Sequence, residues 1–94
     1  MAITSLLELT VNPESVAEAR SIIDDVLVAT RARHGCLGVD VLRDIDDEGH
    51  FMLVEKWATL DDDDAYREWR ATPEGESALS TIVASRTLTR YADA

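Results

Sequence analysis

Apolar and polar residues alternate at the start of the chain, and this period of two predicts a half-buried strand over residues 3–11. Four apolar side chains share one parity: Ile3, Leu7, Leu9 and Val11. The strand is followed by Asn12 and Pro13. Because asparagine caps helices well and proline is tolerated at the first helical position, a helix is expected to begin there.

Helical spacing replaces the alternation after the proline. One apolar stripe runs through Val16, Ala19, Ile23, Val26, Leu27 and Thr30. Acidic residues near the start and basic residues near the end complement the helix dipole. Gly35 is the expected stop, since glycine favours the backbone conformation that ends helices. These features predict one amphipathic helix with a single buried face.

Two more apolar runs, residues 36–45 and 51–57, flank an acidic turn at residues 46–49 and predict a β-hairpin. In the second run Phe51, Leu53, Glu55 and Trp57 point to one side of the strand, and Met52, Val54 and Lys56 point to the other. Both sides are largely apolar, although the free side of an antiparallel sheet is normally polar. We therefore expect a second copy of the chain to cover the open sheet face, which gives a homodimer.

The remaining elements complete a known arrangement. A helix capped by Thr59 or Asp61 runs to about residue 72, residues 73–75 interrupt it, a helical turn covers residues 77–83, and a last strand covers residues 85–91. The order β-α-β-β-α-β predicts a single α+β domain over residues 1–94. Its expected form is the ferredoxin-like split β-α-β fold, a four-stranded antiparallel sheet with helices on one face.

The charge balance narrows the classes of partner. Nineteen acidic residues against nine basic ones give a net charge of −10. That charge argues against nucleic acid and against an anionic membrane surface, since both attract clustered basic residues. Cys36 is the single cysteine, and no secretion signal or membrane span is visible. We therefore expect a cytoplasmic location.

Two acidic patterns resemble metal sites. Residues 44–55 nearly match a calcium-binding loop, but both flanks are predicted strands and the ligands could not converge, which favours a plain hairpin turn. The four aspartates at residues 61–64 would fan out around a helix, so we expect a solvated first turn. His34 and His50 have no partner at metal-binding spacing. No metal site and no cofactor is predicted.

Aromatic residues concentrate in one stretch. Trp57 ends the third predicted strand, while Tyr66 and Trp69 lie three positions apart and hence on one face of the next helix. Together with Phe51 and Leu53 they could line a flat, mostly apolar pocket between sheet and helix. The indole N–H and phenol O–H groups would be its polar contacts. Ordinary core packing explains the same pattern equally well.

Four short segments carry a resemblance to a known family: Gly35-Cys36-Leu37, Phe51-x-Leu53-x-Glu55-Lys56-Trp57, Ala65-Tyr66-Arg67-Glu68-Trp69 and Thr72-Pro73. In these segments, and in the order of its elements, the chain resembles the antibiotic biosynthesis monooxygenase family. The resemblance implies a dimeric α/β barrel. Members of that family oxygenate polycyclic aromatics without a cofactor, degrade haem, oxidise quinols or isomerise small ligands.

The resemblance favours a cofactor-independent monooxygenase that acts on an electron-rich phenol or anthrone, because such a substrate, once deprotonated, can reduce O2 itself. The expected catalytic residues are Trp57, Tyr66 and Glu55. The candidate bases are Glu55, Tyr66 and His50, although His50 has the wrong strand parity to join Trp57. The expected substrate-binding residues are Phe51, Leu53, Trp57, Tyr66 and Trp69.

Two alternatives remain open at this point. The first is a non-catalytic dimer that binds a small aromatic ligand or acts as an accessory domain, because many relatives carry a histidine where this chain has Trp69. The second is haem binding. It is disfavoured because the haem-degrading relatives need an axial histidine on or after the second helix, and no histidine follows His50.

Overall fold

The computed structural model describes residues 2–94, and its elements follow the predicted order. The strands are β1 (Ile3–Val11), β2 (Cys36–Arg43), β3 (His50–Trp57) and β4 (Val83–Ala92), and the helices are α1 (Val16–Ala32), α2 (Leu60–Arg70) and α3 (Leu79–Ile82). Short 3₁₀ turns cover Pro13–Ser15 and Pro73–Gly75. The predicted α+β, ferredoxin-like arrangement is confirmed, with α3 as a brief addition before the last strand.

The four strands form one antiparallel sheet in the order β2-β3-β1-β4. Strands β2 and β3 are adjacent, but β1 is inserted between β3 and β4, so the first strand of the chain lies in the middle of the sheet. The register pairs Leu7 of β1 with Leu53 on one side and Leu88 on the other. The helices pack on one face of this sheet, so the molecule has two layers and is only 18 Å thick along its shortest axis.

The core lies between the sheet and the helices, and strict alternation along the inner strands builds it. Along β3, for example, Phe51, Leu53, Glu55 and Trp57 are all buried while the residues between them are not. The larger apolar cluster joins Leu9, Phe51 and Leu53 to the inner stripe of α1. A smaller cluster joins Ile3, Trp57 and Tyr66 below α2. Burial therefore follows the parity that the sequence predicts for β1 and β3.

The opposite face of the sheet carries no helix. Half-buried apolar side chains lie there, among them Leu6, Met52 and Val54, and Leu42 is 52% exposed. Strand β4 is more open still, because only Val83 is half-buried and every other residue of the strand is exposed. The free apolar face that the sequence predicts is thus present in the single chain.

Several ends of elements differ from the prediction, since α2 ends at Arg70 before residue 72 and β4 begins at Val83 before residue 85. Strand β2 stops at Arg43 rather than continuing to residue 45, because the Asp44 carboxylate accepts a hydrogen bond from the Asp46 backbone N–H and closes a turn that leaves Ile45 97% exposed. Asn12 precedes the 3₁₀ turn, but its side chain makes no capping hydrogen bond. By contrast, Thr59 caps α2 as one of the two predicted caps, its Oγ1 accepting from the Asp62 N–H at 3.1 Å.

Candidate functional site

Helix α2 brings one aspartate into the core. Asp63 is 0% exposed, and its carboxylate accepts hydrogen bonds from Ser5 Oγ at 2.8 Å and from Arg67 Nε at 2.9 Å. The expectation of a solvated first turn is therefore wrong for Asp63. The reason is geometric: Asp63 precedes Tyr66 by three residues and Arg67 by four, so it shares the face of the helix that is turned towards the sheet.

Glu55 is a second buried carboxylate, 1% exposed on β3. Its Oε1 accepts hydrogen bonds from Trp57 Nε1 at 3.1 Å and from Arg67 Nη2 at 2.6 Å. Burial raises the pKa of Glu55, while the Arg67 guanidinium and the Trp57 indole N–H oppose the rise. Arg67 thus bridges two buried carboxylates, and we call Glu55, Asp63 and Arg67 the buried charge network.

Three of the predicted aromatic residues meet in the structure. The ring centroids of Trp57 and Tyr66 are 5.0 Å apart, and those of Tyr66 and Trp69 are 6.3 Å apart. Trp57 is 0% exposed, so the chain itself covers its ring. The guanidinium groups of Arg33 and Arg70 lie 4.6 and 4.7 Å from the centroid of the Trp69 ring. Both indoles are therefore engaged by protein side chains.

The Tyr66 hydroxyl belongs to a polar array with Thr30 and Arg70. Arg70 donates from Nε to Tyr66 Oη at 2.9 Å, and from Nη2 to Thr30 Oγ1 and to the Val26 carbonyl, each at 3.0 Å. It also donates from Nη1 to the Gly75 carbonyl at 3.2 Å. All four acceptors are uncharged. We call Thr30, Tyr66 and Arg70 the cavity array.

Counting donors shows what this array leaves for a ligand. Thr30 Oγ1 accepts from Arg70 and lies 3.4 Å from the Val26 carbonyl. Thr30 Oγ1 and Tyr66 Oη are 2.8 Å apart, and either hydroxyl can donate that bond. Tyr66 Oη also accepts from Arg70, so one hydrogen-bonding position of Tyr66, a lone pair or its own proton, is left for a ligand. On Arg70 four of the five N–H donors are used, so one donor on Nη1 is available.

A cavity of about 530 Å³ opens beside this array, between β1 and β4 of the sheet and the three helices. Its apolar lining comes from Leu7, Val26, Leu79 and Leu88, and its polar lining includes Tyr66, Arg67, Arg70, Glu76 and Arg86. The residues at its rim, such as Glu76, Ser80 and Arg86, are exposed. This cavity is an apolar cleft with a fixed polar end, which is the usual form of a small-molecule site.

The cavity does not lie where the sequence places the pocket. Tyr66 is the one predicted site residue among the described residues that line it. Phe51, Leu53 and Trp57 are buried in side-chain packing instead, because the inner face of a central strand is filled by the helices above it. Glu55 lies behind Arg67, and Trp69 is held between two arginines.

None of the three arginines of the lining, Arg67, Arg70 and Arg86, is among the site residues that the sequence predicts. Arg70 lies four residues after Tyr66, and this helical spacing was a usable signal that both share one face. Arg86 lies on β4, where the register pairs it with the buried Leu9, so it belongs to the inner parity of the sheet. Only the pairing of β4 with β1 reveals that position, because the sequence of β4 shows no clear alternation.

His50, the other candidate base, lies on the open face of the sheet. Its Nδ1 is 2.9 Å from Asp44 Oδ2 and its Nε2 is 2.8 Å from Glu8 Oε2. Hydrogen bonds to Asp44 and then to Glu8 raise the pKa of His50. A smaller cavity of about 180 Å³ adjoins this end of the hairpin and is lined by His50, Phe51 and neighbouring residues. His50 is therefore separated by the sheet from the larger cavity.

Over residues 2–94, no three His, Cys, Asp or Glu side chains converge in a group suited to a metal ion. Within the same range, no helix is both long and apolar enough to cross a lipid bilayer.

Solved structures of several proteins share this fold. SnoaB, a cofactor-independent oxygenase from Streptomyces nogalater, matches with a TM-score of 0.79 and 18% identity, over 98% of this chain and 92% of its own. A proposed antibiotic biosynthesis monooxygenase from Deinococcus radiodurans matches with a TM-score of 0.76 and 26% identity, over 100% and 93%. Rv0793 from Mycobacterium tuberculosis matches with a TM-score of 0.78 and 19% identity, over 100% and 96%.

Sequence comparison finds a matching family but no matching curated protein. No curated protein sequence matches the chain. The model of one family, described as antibiotic biosynthesis monooxygenase, matches residues 2–79, which is most of the chain. On that match the chain belongs to the antibiotic biosynthesis monooxygenase family.

Proposed function

We propose that this protein is a cofactor-independent monooxygenase that oxidises an electron-rich aromatic, a phenol or an anthrone, in the cavity beside Tyr66. Membership of the monooxygenase family supports the reaction class. The observation that carries the proposal is the cavity itself, in which apolar walls end at Tyr66 Oη and the guanidinium of Arg70. A flat aromatic ring fits the walls, and its hydroxyl or enol oxygen meets the two polar groups.

The chemistry asks little of the protein beyond stabilising an anion. The ionised substrate passes one electron to O2, the two radicals combine to form a C–O bond, and the resulting peroxide loses water to leave a carbonyl. One oxygen atom of O2 enters the product and the other leaves in water, whose two hydrogens come from the substrate. Arg70 stabilises the substrate oxyanion, since a positive charge that is already fixed in position lowers the energy of negative charge that forms beside it.

Arg70 suits this role because it is held in place without being neutralised. Its guanidinium is fixed by Tyr66 Oη, Thr30 Oγ1 and two backbone carbonyls, none of which is charged. One Nη1 donor of Arg70 and one hydrogen-bonding position of Tyr66 Oη remain for the substrate. The proton of the substrate leaves through the exposed rim, where Glu76 offers a carboxylate.

Trp57 and Glu55 act in this proposal as positioning residues. Trp57 packs against the Tyr66 ring at 5.0 Å, and Glu55 holds Arg67, whose side chain also lines the cavity. Trp69 positions Arg70 through the contact of its ring with the guanidinium. Phe51 and Leu53 support the sheet under α1 and do not touch the substrate.

Oxygen consumption tests the proposal. Purified protein, shown to be free of metal and flavin, is mixed with an anthrone or a polyphenol in an oxygen electrode, and the rate is compared with that of autoxidation in buffer. We expect a saturable rate in the wild type and a loss of about tenfold or more in Tyr66→Phe. Arg20→Gln, an exposed change on α1, is the matched control and should keep the rate. A wild-type rate equal to autoxidation for every substrate would overturn the proposal.

One observation favours a second function, ligand binding without turnover. Two of the three candidate bases, Glu55 and His50, lie away from the cavity lining, and Tyr66 is the one that lines it. A binding protein would need the apolar walls and the cavity array but no base. This function predicts saturable binding of a naphthol, measured by calorimetry, together with no consumption of O2 above autoxidation.

We also propose that a second copy of the chain covers the open sheet face. Support comes from the apolar side chains of that face, Leu6, Met52 and Val54, which a free antiparallel sheet would normally replace with polar ones. Glu8 and Lys56 lie on the same face and supply charges of both signs, as a self-complementary interface requires. Sedimentation at micromolar concentration should give twice the 10.4 kDa mass of one chain, and a monomer alone would contradict the proposal.

A further inference from the structure

We infer that Arg86 makes the cavity selective for an aromatic acid, a substrate that carries a permanent carboxylate at the end away from its reacting hydroxyl. This inference rests on the proposed function, since it concerns the substrate of the same cavity. It assigns to Arg86 a recognition role that is separate from the oxyanion role of Arg70.

Positive charge is concentrated at this cavity. The chain has a net charge of −10 and only nine basic residues. Among the described residues, three arginines line this one cavity, Arg67, Arg70 and Arg86, against the single carboxylate of Glu76. Since Arg67 is paired with buried carboxylates, Arg70 and Arg86 are left against Glu76, and this local excess of positive charge favours a negative ligand, because the groups nearest to a bound molecule dominate its electrostatic energy.

The three arginines differ in the side-chain and backbone groups with which they are already paired. Arg67 is neutralised by the carboxylates of Glu55 and Asp63. Arg70 is held by uncharged acceptors and keeps one donor, which the proposed reaction uses. Within residues 2–94, Arg86 forms neither an ion pair nor a side-chain hydrogen bond, so its whole donor fork is available.

The position of Arg86 relative to Arg70 also favours a ligand with two polar ends. Arg86 extends from the inner side of β4 and Arg70 from α2, and both side chains line the same cavity from different layers of the molecule. Leu88, two residues after Arg86 on the same strand side, adds an apolar wall beside it. A ligand with its hydroxyl at Tyr66 and Arg70 therefore lies along apolar walls towards a second cationic group. A carboxylate is the group whose two oxygens match a free guanidinium fork.

The exposure of Arg86 limits how strongly it can favour a carboxylate ligand. Arg86 lies at the open rim, where water and salt weaken charge pairing, so the pairing with a carboxylate is worth less than in a closed site. We expect a preference of about fivefold at low salt, which is within the range of a partly exposed charge-assisted hydrogen bond. The preference should shrink as ionic strength rises.

The test uses two ligands of nearly equal shape, 6-hydroxy-2-naphthoate with a carboxylate and 6-hydroxy-2-naphthamide with an uncharged amide in its place, titrated calorimetrically into the intact protein. The wild type should bind the acid about fivefold more tightly than the amide. Arg86→Gln should remove that preference by weakening the acid alone, and Arg86→Lys should restore part of it. Arg20→Gln, which removes an equal charge from the exposed face of α1, should leave both affinities unchanged.

The outcomes separate this inference from the proposed function. Equal wild-type affinities for acid and amide, or an equal loss of both in Arg86→Gln, overturn the carboxylate assignment even if O2 is consumed. A preference that disappears only in Arg86→Gln supports the assignment even if O2 is not consumed, in which case the oxygenase proposal alone fails. Failure of both ligands to bind overturns the inference, because the cavity is then not their site.

Discussion

Two arginines on α2, three positions apart, have opposite surroundings. Arg67 lies between the carboxylates of Glu55 and Asp63, with contacts of 2.6 and 2.9 Å. Arg70 is fixed just as firmly, but by a hydroxyl pair and two carbonyls that carry no charge. The charge of Arg67 is neutralised by carboxylates of the sheet and of the helix, whereas the charge of Arg70 is not neutralised and can interact with a ligand. Charge balance therefore distinguishes the structural arginine from the one suited to a ligand.

The largest expected effect on stability comes from replacing Arg67, the arginine whose charge is neutralised. Arg67→Met leaves the buried carboxylate of Glu55 without its ion-pair partner, while Asp63 keeps only the longer ion pair with Arg90 at 3.6 Å. Because an uncompensated buried charge is costly, the free energy of unfolding should fall by about 3 kcal/mol, and urea denaturation monitored by circular dichroism measures it. Arg20→Met removes an exposed arginine from an ion pair on α1 and should cost less than about 0.5 kcal/mol. Equal losses in the two variants would show that the network is not structural.

A smaller loss of stability is expected from moving the backbone at Gly75, whose carbonyl holds Arg70. A Cβ added at Gly75 would lie 1.9 Å from the Trp69 carbonyl oxygen, so the backbone that accepts a hydrogen bond from Arg70 must move. Gly75→Ala should therefore lower the free energy of unfolding by about 2 kcal/mol and weaken naphthol binding.

Gly49→Ala is the matched control, because its added Cβ would meet the nearest side chain at an ordinary 3.4 Å. Its stability should stay within about 0.5 kcal/mol of the wild type. If Gly75→Ala also remained at wild-type stability and bound naphthol normally, the tight packing around Arg70 would be of no consequence.

The smallest effect concerns His50, on the open face that neither arginine reaches. Its pKa is raised above the ordinary 6.5 by Asp44 and Glu8, so protonated His50 stabilises the folded chain below about pH 6.5 and the contribution is lost as pH rises through the folded pKa. At the acid end, the hydrogen bond with His50 lowers the pKa of Asp44 below its ordinary 3.8, so the pairing persists at that pH and is lost as pH falls further, through the lowered pKa.

His50→Gln should therefore melt at a lower temperature than the wild type near pH 5.5, and the difference should vanish near pH 8.5. His34→Gln, at a side chain that is 96% exposed, should follow the wild-type profile at both values. A difference for His50→Gln that is unchanged across this range would mean that its carboxylate partners do not sense its charge.

The comparison also shows what the sequence could and could not predict. Alternation predicts β1 with the bounds observed, and it predicts that Glu55 shares a buried parity with Trp57. A carboxylate on a buried face needs a partner, yet the sequence does not say which arginine supplies it. The burial of Asp63 was within reach, since it precedes Tyr66 by three residues, but the run of four aspartates resembles an exposed helix start.

The cavity could not be predicted for a different reason. Its walls come from β1, β4 and the helices, and β4 joins the sheet through pairing with β1, across most of the length of the chain. No local pattern places Arg86 beside Arg70, because their proximity arises only when the last strand docks. The aromatic residues Trp57, Tyr66 and Trp69 did come together as their spacing implied, but as packing around the site more than as its lining.

The most direct test of this division compares Arg70→Lys with Arg67→Lys in one assay, the initial rate of O2 consumption with an anthrone per folded molecule. Lysine keeps the charge and loses the donor fork that holds each arginine in place. We predict that Arg70→Lys loses about tenfold or more of the rate, while Arg67→Lys loses stability but stays within about threefold of the wild-type rate. Equal losses of rate, or a larger loss in Arg67→Lys, would contradict the assignment of the oxyanion to Arg70.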